Sequence, residues 1–461
     1  MTIFEILKTK IMLHFATQPK IGKILESGLI SEIAYFQILL KSGDLLLFEK
    51  ELSQVLDRVH NQVSELLISE SAQKLSKPLK EAEQAKGGRN IEMRPLKIRL
   101  QTGHELRVES PYVKRPSEDH TGSRYLLRKH WGLIGEASPG LYDRIGFCAA
   151  LCPSYAAAHQ TLAKFGTHLP LSRVRTLCNH LGKKCFDYGE ENLTLEEGES
   201  LAGKRVILSL DGGRTRTRCY TDALTQLGNP RYDTPWREPK LFVIDTLNQK
   251  GKRDGRGRPI YGCRFGKSDV LELLRKYLFR LNIHQARQVQ IVADGAPWIW
   301  QKIKPMLLEL GVDPDRIVET LDYYHASKYI YELVESMPKR ISETQKKAYL
   351  KDFKQWIWEG ESDKIVETCR EIYKRPSKLI KRWIEYIDKH KNRTKYADFQ
   401  EDKLLCGSGI IESGIRRIIN LRFKNTSTFW IKENVEKLYV LRAALLTDRW
   451  ELLINNIAKA A

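Results

Sequence analysis

The sequence has no apolar stretch approaching the length of a membrane span, so nothing in it reads as a helical membrane anchor. Met1 to Ala16 mixes Glu5, Lys8, Lys10 and His14 into its apolar residues. It therefore lacks the compact apolar segment and small-residue cleavage site of a secretory signal. The eight cysteines fall into no regular framework, as expected of a reduced, cytoplasmic protein. Cys148, Cys152, Cys178 and Cys185 are the candidates for a metal knuckle. Their spacing is not that of a standard zinc finger, and they read as buried thiols. Acidic residues are also short: 57 Asp and Glu stand against 77 Lys and Arg, a net charge of +20. Such an excess favours a polyanionic partner, nucleic acid first and an anionic membrane surface second. At 461 residues the chain exceeds one ordinary core, so about two to four domains are expected.

Residues 1–86 read as helical. Leu52, Leu56, Val59, Val63 and Leu66 alternate in steps of four and three, a seam for a helical hairpin packed on Ile30 to Ile33 or for a dimer contact. Gly87-Gly88 breaks the pattern. In 87–130, Leu96, Ile98 and Leu100 alternate with basic residues, and Leu106 and Val108 do the same beyond the turn Gln101 to His104. This predicts a β-hairpin whose basic face touches phosphates or is simply solvated. Residues 131–186 carry two short helices, Ser154 to Ala163 and about Ser172 to Leu181, around Gly166. Alanines at the crossing and a serine start suit a helix-turn-helix, with Arg173, Arg175 and Asn179 able to reach bases or phosphates. The acidic stretch 187–200 reads as a linker.

The chemistry is expected in 201–337. Val206 to Leu210 is an apolar run of the kind found in a central strand, and Asp211-Gly212-Gly213 ends it. Strands are predicted at Leu241 to Ile244, Ile260 to Cys263, Val289 to Ala293 and Ile317 to Leu321. Helices are predicted from Ser268 to about Arg287 and from Trp298 to Leu310, with Trp298 and Trp300 as core residues or, alternatively, as rings that stack on splayed bases. Three strands, a helix, a strand, a helix and a strand is the order of a ribonuclease H-like α/β core. In that order the first and fourth strands are neighbours, and Asp211 and Asp294 project from adjacent strand ends. Two such carboxylates repel unless a cation lies between them, so they are candidate ligands for two Mg²⁺ or Mn²⁺ ions about 3.5–4 Å apart.

Residues 338–405 read as an all-α insertion, and 406–461 as the second part of the core with a C-terminal helix. There Gly407-Ser408-Gly409 turns into a helix bearing Glu412, the candidate third acid, with Arg416 one turn on. Glu401 and Asp402 are rivals without the glycine turn and helix. Arg214, Arg216 and Arg218 alternate after Asp211 and would share one face of an extended strand. Arg417, Arg422 and Lys424 extend the basic surface, and Trp430 is a candidate for base stacking.

Ser209 to Gly213, Val292 to Trp300 and Gly407 to Ser413 together resemble a DDE transposase of bacterial insertion sequences, over roughly Leu201 to Trp450. Asp322-Tyr323-Tyr324-His325 is similar to the Asp-x-x-His signature of Mutator-like transposases, which also carry a helical insertion before the final glutamate. The resemblance implies Asp211, Asp294 and Glu412 as catalytic metal ligands and His325 as an active-site neighbour. It further implies double-stranded DNA as partner, both terminal inverted repeats and target, and at least a homodimer in the bacterial nucleoid. The cysteine cluster that some relatives carry near the hairpin is absent. A ribonuclease H-like nuclease that does not join strands, and a DNA-binding regulator without chemistry, are the alternative readings.

Overall fold

A computed structural model of the chain describes residues 19–116, 123–255, 257–424 and 428–460. The reading at Met1 to Ala16 lies outside them. The chain divides into two compact units, Met1–Lys184 with Leu453–Ala461, and Cys185–Leu452.

In the first unit the helix Leu45–Ala85 opens on Asp44, whose carboxylate accepts from the Leu47 amide at 3.0 Å. The short helices Pro19–Gly28 and Ile33–Lys41 pack on its first half. The buried seam there is Val55 and Val59, while Leu56 is exposed. The expected register is thus off by one residue at that position. The strands β1 (Arg89–Arg99) and β2 (Glu105–Arg115) pair antiparallel, Leu96 opposite Val108 and Ile98 opposite Leu106. The short β3 (Arg124–Tyr125) joins β2. The apolar face of the hairpin closes a core with Ala72, Leu127 and Leu133. Its basic face is largely neutralised: Lys97 and Arg99 are both paired with Glu105 and Glu136. Helices Pro139–Leu151, Tyr155–Lys164 and Leu171–Glu191 follow, the last passing into the second unit at Cys185, with Ala149, Ala150, Ala158, Val174 and Leu181 buried. The last helix runs about ten residues beyond its predicted end and takes up the start of the expected linker.

The second unit is built on a mixed α/β sheet. The strand β4 (Arg205–Gly212) leads into β5 (Thr215–Arg216), β6 (Cys219–Leu224), β7 (Pro230–Asp233) and β8 (Trp236–Arg237). After these come β9 (Lys240–Leu247), β10 (Ile260–Arg264), β11 (Gln288–Ala293) and β12 (Ile317–Leu321). The main sheet has the order β10-β9-β4-β11-β12. β9 is antiparallel to both β10 and β4, while β11 is parallel to both β4 and β12. All five strands coincide with predicted apolar runs, because a strand covered on both faces needs apolar residues at successive positions. One face packs Leu208, Leu210, Phe242 and Ile291 against helices Lys267–Arg280 and Pro297–Glu309. The other carries Ile207 and Val292 under Leu405 and Ile410. The pairs β5–β8 and β6–β7 form a ribbon between β4 and β9 that the sequence pattern did not suggest. After β12 the helices Tyr323–Glu335, Glu343–Trp358, Ser362–Ile372, Lys378–His390 and Tyr396–Glu401 share an apolar core around Phe353, Ile365 and Ile387.

Candidate functional site

Parallel pairing sets the site. Leu210 is opposite Ala293, and Ala293 is opposite Leu321. The next residue of each strand is an aspartate, so Asp211, Asp294 and Asp322 form a row at the carboxyl ends of β4, β11 and β12. The row is pinned from behind. Ser209 Oγ donates to the Val292 carbonyl at 2.6 Å, and the Asp322 amide donates to the Ala293 carbonyl at 2.9 Å.

Each aspartate meets different surroundings. Asp211 is largely enclosed and accepts one backbone hydrogen bond, from the Gly212 amide at 2.5 Å. Burial pushes its carboxyl up to about 6, the nearby charge of Asp294 adds to the rise, and His325 and Lys240 oppose it. Asp294 turns back on its own loop. Its Oδ1 accepts from the Ala296 amide at 2.9 Å, and its carbonyl accepts from the Trp300 indole at 2.7 Å. Trp300 is accordingly a core residue. Asp322 is fully buried and fully engaged: it accepts from the Tyr324 amide at 2.9 Å and from Ser408 Oγ at 2.5 Å, and pairs with His325 Nδ1 at 2.9 Å. Although burial opposes it, these hydrogen bonds hold Asp322 below the usual carboxylate range. The same bond to Asp322 raises His325, and the charges of Asp294 and Asp211 act in the same direction.

Glu412 stands in the first turn of helix Gly409–Ile415 and is exposed. The helix lies close on the sheet, where a Cβ at Gly414 would come within 3.1 Å of Leu241 and Tyr261. Its starting serine is the Ser408 that binds Asp322, so the Asp-x-x-His segment and the helix that bears Glu412 share one buried hydrogen bond. Among the described residues no three His, Cys, Asp or Glu side chains stand close enough together to hold a metal. Glu412 therefore does not complete a cluster with Asp211 and Asp294, which stand at neighbouring strand ends with the charge of Asp294 felt at Asp211. The pair suits a hard divalent cation. It offers oxygen donors whose mutual repulsion a cation relieves, and Mg²⁺ is commonly held by one or two carboxylates with water and substrate phosphate.

No family model matches the chain. No curated protein matches it either. Among solved structures, the chain is weakly similar to the Drosophila P element transposase strand transfer complex, with a TM-score of 0.25 and 12% identity over 70% of this chain and 82% of that one. A likeness of that degree carries no argument, and the reading of the site rests on its geometry.

The basic candidates divide by burial. Arg214, Arg416, Lys424 and Arg175 are exposed. Arg216 and Arg218 are half-buried on the outer face of the ribbon, while Thr215 and Thr217, which precede them in alternation, are fully buried, as the alternation predicts. Arg173 is paired with Glu136 at 3.2 Å, and half-buried Asn179 accepts from the Tyr155 hydroxyl at 3.3 Å. Arg417 is half-buried and donates to the Leu446 carbonyl at 3.1 Å.

Arg422 and Trp430 need correction. Arg422 is 0% exposed, and its guanidinium lies 4.8 Å from the centre of the Trp430 ring. Trp430 is buried, packs on Phe423 and cannot stack on a base. The segment Arg416–Asn420 is a π-turn. Arg442 reaches into it and donates to the carbonyls of Ile418 (2.9 Å) and Arg417. Burial holds Arg442 down to about 10.

Asp322 and Ser408 were legible only as members of motifs, whereas the structure has Ser408 bind Asp322 and Asp322 hold His325. Sequence reasoning missed two further residues that shape the site. Lys240, buried opposite Gly212, is paired with Glu238 at 2.6 Å and faces the Trp298 ring at 5.5 Å. The Tyr386 ring covers Gly295, which follows Asp294. An Asp three residues before a His at a strand end was the one local signal for the first pair. Lys240 and Tyr386 are brought in by tertiary packing alone.

Proposed function

We propose that the chain is a DNA transposase with a ribonuclease H-like catalytic core. It cuts the ends of an element and joins the freed 3′-hydroxyl to target DNA. The observation that carries this reading is the pairing of Asp211 and Asp294 at neighbouring parallel strand ends, in a sheet of order β10-β9-β4-β11-β12. That order is the third, second, first, fourth and fifth strands of the core.

In the first step a water oxygen attacks the scissile phosphorus and the P–O3′ bond breaks, leaving a 3′-hydroxyl. In the second step that hydroxyl attacks a target phosphorus and displaces the target's own 3′-oxygen. Both are in-line displacements without a covalent protein intermediate. Two divalent ions, when bound, supply an activated attacking oxygen and a stabilised leaving oxygen. Asp211 and Asp294 would hold them, with Glu412 as the third donor once DNA is bound. His325 keeps Nδ1 on Asp322, and its raised basicity favours the imidazolium, which offers the proton on Nε2 to a phosphate oxygen. Arg214, Arg216, Arg218, Arg416 and Lys424 contact phosphates around the acids. Arg173, Arg175 and Asn179 read the terminal repeats from a helix-turn-helix. Two ends cut together require at least a dimer.

Strand-transfer assays with Mg²⁺ on end-containing duplexes test the reading. Wild type is expected to cut and join. Asp211→Ala is expected to bind the same duplex and do neither. Full cleavage by Asp211→Ala removes the assignment of the acids, and cleavage without joining by wild type moves the protein to the nuclease reading.

A further inference from the structure

The ribbon between β4 and β9 is rooted at the acids. The chain leaves Asp211 through Gly212 and Gly213, and returns through Glu238 to Lys240, which pairs with Gly212. Its base is fixed: the Gly213 amide donates to the Pro239 carbonyl at 2.8 Å, the Arg218 amide to the Trp430 carbonyl at 2.7 Å, and Thr215 and Tyr439 share a hydroxyl hydrogen bond of 2.8 Å. The inward residues Thr215 and Thr217 are thereby accounted for as support.

The outward face has a different composition. Tyr220 is 56%, Trp236 51% and Tyr232 40% exposed. Arginines interleave with these rings. The Arg218 guanidinium lies 4.2 Å from the Tyr232 centroid, and Arg216 lies 5.5 Å from Trp236 and 5.2 Å from Phe429. Between Gly213 and Pro239 the arginines 214, 216, 218, 231 and 237 outnumber Asp222, Asp233 and Glu238. A face that only neutralised phosphates would need cations and no exposed rings. A purely structural ribbon would bury its rings. Exposed aromatic rings interleaved with arginines, here with Tyr220 and Tyr232 meeting edge-on, and an excess of positive charge are what single-stranded nucleic acid needs: π-faces for bases and cations for the backbone.

We infer that the outer face of this ribbon, centred on Trp236 and Tyr220, binds unpaired DNA strands by base stacking next to the acids. This rests on the transposase reading only for its use, which is to hold nucleotides unpaired at the cleaved end.

The test measures binding in EDTA, so cleavage plays no part. Fluorescence anisotropy with the full chain compares an oligothymidine of about 20 nucleotides with a duplex of equal length. Trp236→Ala and Tyr220→Ala are each expected to weaken binding of the single strand about tenfold, leave the duplex within about twofold, and recover in Trp236→Phe and Tyr220→Phe. Quenching of tryptophan fluorescence by oligothymidine, lost in Trp236→Phe, provides a second reading in a variant that keeps the ring and the fold. Unchanged single-strand affinity in both alanine variants overturns the inference. So does equal loss on both probes, which marks a structural role. A change in mass by light scattering without a change in DNA affinity also overturns it and assigns the face to a protein contact. If wild type fails to cut DNA with Mg²⁺ while Trp236→Ala still loses the single strand, the stacking surface stands and the transposase reading falls.

Discussion

Between about pH 4 and pH 6 the folded protein holds a proton on Asp211 that the unfolded chain has released, because burial and Asp294 raise the carboxyl from 3.8 to about 6. Stability therefore falls as pH rises through that window, and the deficit is complete above it. Asp211→Asn removes the buried charge. In EDTA at pH 7.5 it is expected to unfold at higher urea, by about 1–3 kcal/mol, with little difference near pH 4. Magnesium should raise the wild-type midpoint at pH 7.5 and leave Asp211→Asn unmoved, since the ion gains most where two carboxylates repel. Asp294→Asn relieves Asp211 of its like-charged neighbour and should move the pH dependence of urea stability to lower pH. Equal magnesium responses in wild type and Asp211→Asn would remove Asp211 from the proposed metal site. Asp211 and Asp294 were legible in the sequence because each ends an apolar run. The burial of Asp322 was not, since it depends on Ser408 arriving from far downstream. Arg422 and Trp430 misled because an arginine in a basic stretch reads as exposed, and the packing of Trp430 on Phe423 and Arg422 is not written in local pattern.

At the scale of elements, the helix Lys378–His390 of the insertion reaches the strand end that bears Asp294. A Cβ built on Gly295 would fall 2.0 Å from a ring carbon of Tyr386, and Tyr386 also faces the charges of Asp294 and Asp322. Gly295→Ala therefore forces either the ring or the loop after β11 to move, a cost of about 1–3 kcal/mol. Tyr386→Ala opens the space, so the double variant should recover most of what Gly295→Ala loses, as urea unfolding of the four proteins would measure. Additive losses would mean that the loop and the insertion do not press on each other. None of this contact is written in local pattern. Gly295 reads as an ordinary turn glycine, and Tyr386 as one aromatic among many in an all-α segment. The same division explains the other elements. The main strands were readable because burial on both faces imposes an apolar run. The ribbon was not, because β6 and β7 are almost wholly exposed and carry no periodic signal. The helix Leu171–Glu191 outlasts its predicted end because Glu190 pairs with Arg264 and Lys276, partners that a reading of local acidity cannot supply.

For the whole molecule the net charge of +20 favours a polyanionic partner, duplex DNA in the proposed reading, but does not say where its phosphates would lie. The structure narrows that question, because many of the cations are already committed. Lys97 and Arg99 answer Glu105 and Glu136, Arg264 answers Glu190, and Arg449 answers Glu199. A cation already paired within the protein displaces fewer counterions when DNA binds, so the salt dependence should report the exposed group near the acids rather than the total charge. Each phosphate neutralised contributes about −0.9 to the slope of log affinity against log salt. Arg214→Ala combined with Arg416→Ala should therefore make the duplex slope shallower by about 2, while Arg99→Ala should leave it within the error of the fit. Anisotropy titrations in EDTA from about 50 to 200 mM salt would give these slopes directly. An unchanged slope in the double variant would move the duplex away from the acids and leave the row at the ends of β4, β11 and β12 without a phosphate to act on.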